Sequence, residues 1–250
     1  MNINDNGFIR KEEYQIMAYH LDMNWRVTIP FLLNMMQDAA SYHATQLGVG
    51  YEVLRERNLM WVLSRQYLKI MKYPGWGDKI TVVTWPSGKE RISWLRDFKL
   101  LNEQNELIGV GTTSWFSIDL DRRRPKRIDS IFNVDTTGCE RVVGDVLGKI
   151  EPVQQNGISK SFEIGFRDLD MHQHVNNVKY IEWILESFPL EIHQNQILRE
   201  FEINYLAESF YGEQISVFNE ANAERDFRHS VVRKSDQKEL CRARTVWENN

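Results

Sequence analysis

Two long apolar segments dominate the hydrophobic pattern of the chain, one in each half. They cover Ile29–His43 and Asn177–Pro189, and both place apolar residues on most faces of a helix. A helix that is apolar on most faces is buried in a globular protein. Thr28 and Asn176 directly precede the two segments, and both residue types are favoured at helix N-caps. The pattern therefore predicts two long buried helices.

Shorter segments rich in β-branched and aromatic residues follow each helix, separated by polar turns such as "LNEQNEL" and "KSDQKEL". They predict antiparallel strands at 60–70, 79–85, 94–101 and 107–118 in the first half, and at 198–206, 214–221, 227–234 and 239–247 in the second. One helix and one antiparallel sheet in each half form an α+β arrangement, in which we expect a curved sheet to wrap around the long buried helix.

The two halves resemble one another in sequence. "LDMNWRV" (Leu21–Val27) matches "LDMHQHV" (Leu169–Val175) at four of seven positions, and the alignment continues into the helices. Two further similarities follow in the same order, "YPGWGDKITVVTW" with "ESFYGEQISVFNE" and "TSWF" with "TVWE". Ordered self-similarity of this kind indicates a tandem repeat. We expect an N-terminal unit at 8–120, a linker at 121–157 and a C-terminal unit at 158–250.

Composition is typical of a globular protein, with 42% hydrophobic and 26% charged residues. The net charge of −4 disfavours nucleic acid as a partner. The two cysteines, Cys139 and Cys241, have no disulfide-framework or zinc spacing, which fits a reducing cytoplasm. The polar N-terminus and the lack of a run of about 20 apolar residues predict neither a signal peptide nor a membrane span. A tandem repeat allows a monomer, and a homodimer stays open.

The stretch "DLDMHQHVNN" concentrates titratable and hydrogen-bonding groups where the second helix begins. A helix N-terminus offers unpaired backbone N–H groups and the positive end of the helix dipole. An H-x-H pair without a third ligand at a plausible spacing is weak evidence for a metal, so no metal site is expected. The pattern indicates a reaction or binding site for a group that carries or develops negative charge.

The segment "DLDMHQHVNNVKYIEWILESFP" resembles the active-site segment of acyl-acyl-carrier-protein thioesterases, whose pattern is D-x-D-x-N-x-H-V-N-N-x-K-Y-x-x-W. "NLMWVLSRQYLKIMKYPGWGDKITVVTWP" and "INYLAESFYGE" are also similar to that family, and the likeness covers about Tyr14–Trp247. The resemblance implies two tandem hotdog units in one chain. It also implies hydrolysis of the thioester between a fatty acyl chain and the phosphopantetheine of acyl carrier protein, which terminates fatty acid synthesis, without a cofactor.

The resemblance assigns catalytic roles residue by residue. Asp170 is expected to fix the orientation and tautomer of a neighbouring side chain, and His174 to position water or substrate and protonate the leaving thiolate. Glu208 is the preferred general base, acting on water. Ser209, at a position that is often cysteine in the plant enzymes, stays open as a nucleophile. His172 departs from the family asparagine, and it is expected to donate to the thioester carbonyl or to hold water. Asn176 and Asn177 mark the helix N-terminus as the oxyanion site.

The first repeat lacks the same groups. Arg26 stands where the second repeat has His174, and Tyr73 where it has Glu208. We therefore expect one active site, in the second half, while the first half is expected to supply the acyl pocket, as family members imply. Candidate pocket walls on its helix, which are equally candidates for ordinary core, are Phe31, Leu32, Met35, Met36 and Ala39.

A basic run follows the first repeat, and it is either a solvated linker or a docking surface for the acidic carrier protein. Its candidate residues are Arg122, Arg123, Arg124, Lys126 and Arg127. Three other functions stay open: an acyl-CoA thioesterase, a hotdog hydroxyacyl dehydratase and a non-catalytic acyl-binding module. The sequence does not determine the preferred length or branching of the acyl chain.

Overall fold

The protein is described by a computed structural model over residues 8–128, 132, 136, 139–144, 147–154 and 160–250. The chain divides into two compact units between Leu147 and Gly148. This division falls within the segment 121–157 that the sequence pattern predicts as a linker, whose exact bounds stay a prediction. Both units have the predicted α+β composition, with antiparallel strands and a long helix.

The first unit contains two helices and six strands in its described part. The helices are α1 (Ile29–Gln46) and α2 (Tyr51–Glu56), and the strands are β1 (Arg10–Gln15), β2 (Leu59–Ile70), β3 (Lys79–Glu90), β4 (Ser93–Asn102), β5 (Leu107–Asp119) and β6 (Arg124–Pro125). A single 3₁₀ turn spans Ala18–His20. The strands lie in the antiparallel order β1-β3-β4-β5-β2, and the short β6 pairs with β5.

The second unit repeats this arrangement. Its helices are α3 (Asn177–Glu186) and α4 (Leu190–Asn195), and its strands are β7 (Lys160–Glu163), β8 (Gln196–Tyr205), β9 (Gln214–Ala223), β10 (Asp226–Arg233) and β11 (Glu239–Asn249). The strand order is β8-β11-β10-β9-β7, again antiparallel. A 3₁₀ turn at Phe166–Asp168 precedes α3. Among the described residues, no helix is long and apolar enough to cross a membrane.

Helix α1 forms the core of the first unit against β1 and β3. Its close approach to the sheet depends on Gly111 of β5, because a Cβ there would lie 2.5 Å from Cε of Met36 and 3.0 Å from the carbonyl oxygen of Tyr67. Four of the five candidate pocket walls on α1 are fully or almost fully buried, namely Leu32, Met35, Met36 and Ala39. Burial fits a core role as well as a pocket role, so the pocket assignment stays a prediction.

The elements differ from the sequence prediction mainly at their ends. Helix α3 stops at Glu186 rather than Pro189, because proline disfavours helical geometry in the residue before it. Pro189 instead caps the short helix α4. Strand β3 continues beyond Trp85 through a register shift between Pro86 and Gly88. A register shift of this kind keeps two strands paired where a proline has no N–H to donate. The alternation of apolar and polar residues in the sequence gives little sign of it.

Candidate active site

The segment Leu169–Val175, here called the histidine loop, has the same backbone form as Leu21–Val27 in the first unit. Each segment is closed by a β-bridge between its first and last residues. The N–H of Asp170 donates to the carbonyl of His174 at 2.8 Å, as the N–H of Asp22 does to the carbonyl of Arg26 at 2.8 Å. The sequence repeat is therefore also a repeat of local structure.

Asp170 shapes the histidine loop through its side chain. Its Oδ1 accepts the backbone N–H groups of His172 at 2.8 Å and His174 at 3.2 Å. Asp22 makes the corresponding bonds to Asn24 at 2.8 Å and Arg26 at 3.1 Å. The family resemblance predicts that Asp170 orients a neighbouring ring or amide side chain, whereas in the described structure it binds the backbone that carries both histidines.

Helix α3 begins directly behind the histidine loop. The N–H of Asn176 donates to the carbonyl of Asp168 at 2.8 Å, and its Oδ1 accepts the N–H of Val178 at 3.0 Å. Thr28 holds the same position before α1, but its side chain makes no capping bond. The N–H of Asn177, the first of the helix, donates to no residue of the described segments. One backbone donor at the positive end of α3 is thus left for a ligand.

Glu208 lies in the segment Leu206–Glu213, here called the glutamate loop, which connects β8 to β9. Its Oε1 lies 3.5 Å from Nδ1 of His174, with 36% and 22% of the two side chains exposed. The N–H of Val175 donates to the carbonyl of Ser209 at 3.1 Å and so joins the two loops. The ring of Phe210 packs edge-on against His174, with 5.2 Å between centroids. A carboxylate and an imidazole therefore meet in one partly exposed position beside the start of α3.

Ser209 points away from this pair. It is 1% exposed, and its Oγ lies 2.7 Å from Oη of Tyr180 on α3. Burial raises the pKa of the Tyr180 hydroxyl well above its ordinary value. A serine nucleophile needs a base within hydrogen-bond distance to remove its proton. Since the partner of Ser209 is a tyrosine that stays protonated, the structure favours a positioning role for this serine.

The first unit has the same backbone arrangement but different side chains at the two reacting positions. The N–H of Val27 donates to the carbonyl of Pro74 at 3.1 Å, which corresponds to the bond between Val175 and Ser209. Arg26 and Tyr73 occupy the positions that match His174 and Glu208. An acid–imidazole pair is therefore missing at this place in the first unit.

Two features of the second unit have no signal in the local sequence. Arg233 holds the glutamate loop through Glu213, and no local motif connects residues so far apart in sequence. His229 is fully buried, and burial lowers its pKa to about 3. Its ring nitrogens lie 2.8 Å from Oδ1 of Asn219 and 2.9 Å from Oγ1 of Thr245.

Two other candidate sites are a metal site and the basic run. Within the described residues, no three side chains of His, Cys, Asp or Glu gather as a metal site would require. The residues of the basic run are all exposed, and Lys126 forms an ion pair with Asp119 at 3.3 Å. The run thus presents several positive charges to solvent on and beside β6, and its docking role stays a prediction.

Comparison with known proteins identifies related sequences over most of the chain. The family model of the acyl-ACP thioesterase N-terminal domain matches residues 7–133, and that of the C-terminal domain matches residues 151–249. Oleoyl-acyl carrier protein thioesterase 2, chloroplastic, of Arabidopsis thaliana is 31% identical over 222 residues, covering 82% of this chain and 60% of that protein. Palmitoyl-acyl carrier protein thioesterase of Gossypium hirsutum is 29% identical, covering 96% and 64%. The chain thus spans less than two thirds of the length of these two relatives.

Solved structures give a matching result. An acyl-ACP thioesterase from Bacteroides thetaiotaomicron VPI-5482 has a TM-score of 0.90 and 28% identity, covering 98% of this chain and 100% of its own. The 12:0-ACP thioesterase from Umbellularia californica has a TM-score of 0.86 and 23% identity, covering 97% and 98%, and shows the fold alone. The predicted tandem hotdog fold is confirmed.

Proposed function

Because the chain belongs to the acyl-ACP thioesterase family, we propose that it hydrolyses fatty acyl thioesters of acyl carrier protein (ACP). The products are free fatty acid and ACP with its phosphopantetheine thiol restored, which ends synthesis on that carrier. The observation that carries the proposal is the 3.5 Å contact between Nδ1 of His174 and Oε1 of Glu208. Relatives named as oleoyl- and palmitoyl-ACP thioesterases support the substrate class.

In the proposed reaction, Glu208 accepts a proton from water as the water oxygen attacks the thioester carbonyl carbon. The carbonyl oxygen gains negative charge, and the N–H of Asn177 at the start of α3 stabilises it. Asn176 contributes indirectly, because its own N–H is bonded to Asp168 and its side chain caps the helix. Catalytic hydrogen bonds are often long before substrate binds, so the 3.5 Å distance suits this role.

Breakdown of the tetrahedral intermediate breaks the C–S bond and releases a thiolate. The proton taken by Glu208 passes to the adjacent His174, whose imidazole protonates the thiolate. One water is consumed and one acid and one thiol are formed, so no cofactor or metal is needed. His172, on the same loop, offers one donor and one acceptor where the family asparagine offers two donors. We assign it to substrate or water contact.

The proposal also includes the partner and its location. We assign the exposed basic run at 122–127 to docking of acidic ACP, because opposite charges raise the rate of encounter. A cytoplasmic location is proposed from cysteine usage, and both cysteines are free thiols in the structure. Monomer and homodimer are both compatible with the tandem fold.

The decisive experiment measures hydrolysis of acyl-ACP. A thiol reagent follows the released thiol, and the free fatty acid is measured alongside it. Glu208→Gln is expected to lower kcat by about 10²–10⁴-fold, since it removes the base while keeping the side-chain size. Glu220→Gln is the matched control, because Glu220 lies on β9 and pairs with Arg228 at 2.9 Å. It should leave kcat near the wild-type value.

The outcomes separate the other functions. Loss of water from a hydroxyacyl substrate without thiol release would indicate a dehydratase. Binding of acyl chains without turnover, unchanged in Glu208→Gln, would indicate a binding module. A higher kcat/KM on acyl-CoA than on acyl-ACP would indicate a CoA thioesterase. Each of these results contradicts the proposal.

A further inference from the structure

The glutamate loop is anchored by an arginine that the proposed reaction does not use. Arg233, at the end of β10, binds both carboxylate oxygens of Asp236 through Nε and Nη2, each at 3.0 Å. Its Nη1 donates to Oε1 of Glu213 at 2.9 Å and lies 3.5 Å from the carbonyl oxygen of Glu208. A guanidinium bound at both ends of its planar fork has little freedom to move.

Glu213 passes this constraint to the reacting groups. Its second oxygen, Oε2, accepts the N–H of Phe210 at 3.1 Å. Phe210 in turn packs edge-on against the ring of His174, with 5.2 Å between centroids. Arg233 therefore constrains the backbone on both sides of Ser209. Through Glu213 and Phe210, it is also connected to the ring of His174.

The first unit provides an internal comparison. Asp78 there accepts the N–H of Gly75 through Oδ2 at 2.8 Å, as Glu213 accepts the N–H of Phe210. Among the residues with described positions, no basic side chain pairs with Asp78. The turn therefore forms without an arginine clamp, and the clamp is present in the unit that holds the acid–imidazole pair. Folding of the turn alone does not explain Arg233.

We propose that Arg233 is a positioning residue that, through Glu213, holds the carboxylate of Glu208 at contact distance from His174. This inference rests on the proposed thioesterase function. Displacing a reacting group by about 1 Å can lower a rate by on the order of 10²-fold. Binding of the acyl chain and of the carrier would be unaffected, since Arg233 acts on the chemical step.

The test compares Arg233→Gln with Arg244→Gln. Arg244 on β11 makes the same type of two-bond pair with Asp226, at 2.9 and 2.8 Å, but it is not bonded to the glutamate loop. We expect Arg233→Gln to lower kcat about tenfold or more, with KM changed less than about twofold. Arg244→Gln should lower the melting temperature to a similar degree and leave kcat unchanged. Arg233→Lys, which keeps the charge on Glu213, should recover part of kcat.

A double variant makes the test specific to Glu208. In the Glu208→Gln background, Arg233→Gln should cause no further loss of kcat, because the positioned base is already absent. A wild-type kcat in Arg233→Gln, a loss equal to that of Arg244→Gln, or a full additional loss in the double variant would overturn the inference alone. A wild-type protein that releases no thiol from any acyl thioester would overturn the proposed function as well.

Discussion

Single residues in the second unit have roles that their type does not reveal. Ser209 and His229 are both potential reacting groups, yet both are buried in closed hydrogen-bond networks. The proton of His229 lies on Nδ1, because Oδ1 of Asn219 can only accept, and Nε2 then accepts the hydroxyl of Thr245. A second proton, on Nε2, would require the hydroxyl of Thr245 to turn from donor to acceptor.

His229 should make stability depend on pH. Its pKa is lowered from 6.5 to about 3 in the folded protein. Its contribution to the free energy of unfolding is therefore complete above pH 6.5 and is lost as the pH falls towards 3. Between pH 7 and 5, the wild type should lose about 2 kcal/mol of unfolding free energy more than His229→Gln does. Urea denaturation of both proteins at several pH values measures this difference. Parallel pH curves for the two would contradict it.

At the scale of elements, both units have the same loop and the same helix start, but only the second has an acid–imidazole pair at this place. Asp22 and Asp170 each accept two backbone N–H groups from the residues two and four positions later. In both units, the loop then leads into a long helix whose residues pack against the sheet. We therefore expect the aspartate to stabilise the loop in both copies and to support the proposed reaction only in the second.

This difference can be measured with a matched pair of variants. Asp22→Ala and Asp170→Ala each remove two hydrogen bonds to a charged acceptor, and each should lower the unfolding free energy by about 1–3 kcal/mol. Only Asp170→Ala should also lower kcat, by roughly tenfold or more, because its loop carries His174. Chemical denaturation and thioester hydrolysis provide the two readings. An equal loss of kcat in both variants would show that stability alone explains the effect.

At the scale of the whole molecule, charge is unevenly distributed along an acidic chain. The net charge is −4, yet the run at 122–127 exposes five basic residues around the short strand β6. An acidic carrier protein would be repelled by the average charge and attracted by this surface. The proposed docking would thus depend on the local charge of this run rather than on the net charge of the chain.

Reversing charges in this run tests the docking role. Arg122→Glu with Arg127→Glu should lower kcat/KM for acyl-ACP about tenfold at low salt, and the effect should shrink as ionic strength rises. Hydrolysis of a short acyl-pantetheine thioester should be unchanged. Lys11→Glu with Lys79→Glu makes the same change of net charge at two exposed residues elsewhere and is the control. Equal salt dependence for both double variants would contradict docking at 122–127.

Local sequence patterns predict the repeat, the two long helices, most strand positions and the half of the chain that carries the candidate site. These properties follow from local signals: the period of apolar residues, the cap before Asn177, and the identity of residues at repeated positions such as Arg26 and His174. The family resemblance extended them to the hotdog fold, which was confirmed.

The contacts of the individual side chains are visible only in the folded protein. In the folded protein, Glu208 lies beside His174, Ser209 contacts Tyr180, and Arg233 binds Glu213. Asp170 binds backbone N–H groups. Contacts of this kind depend on strand register and side-chain rotamers, which bring together residues that share no periodic pattern along the chain.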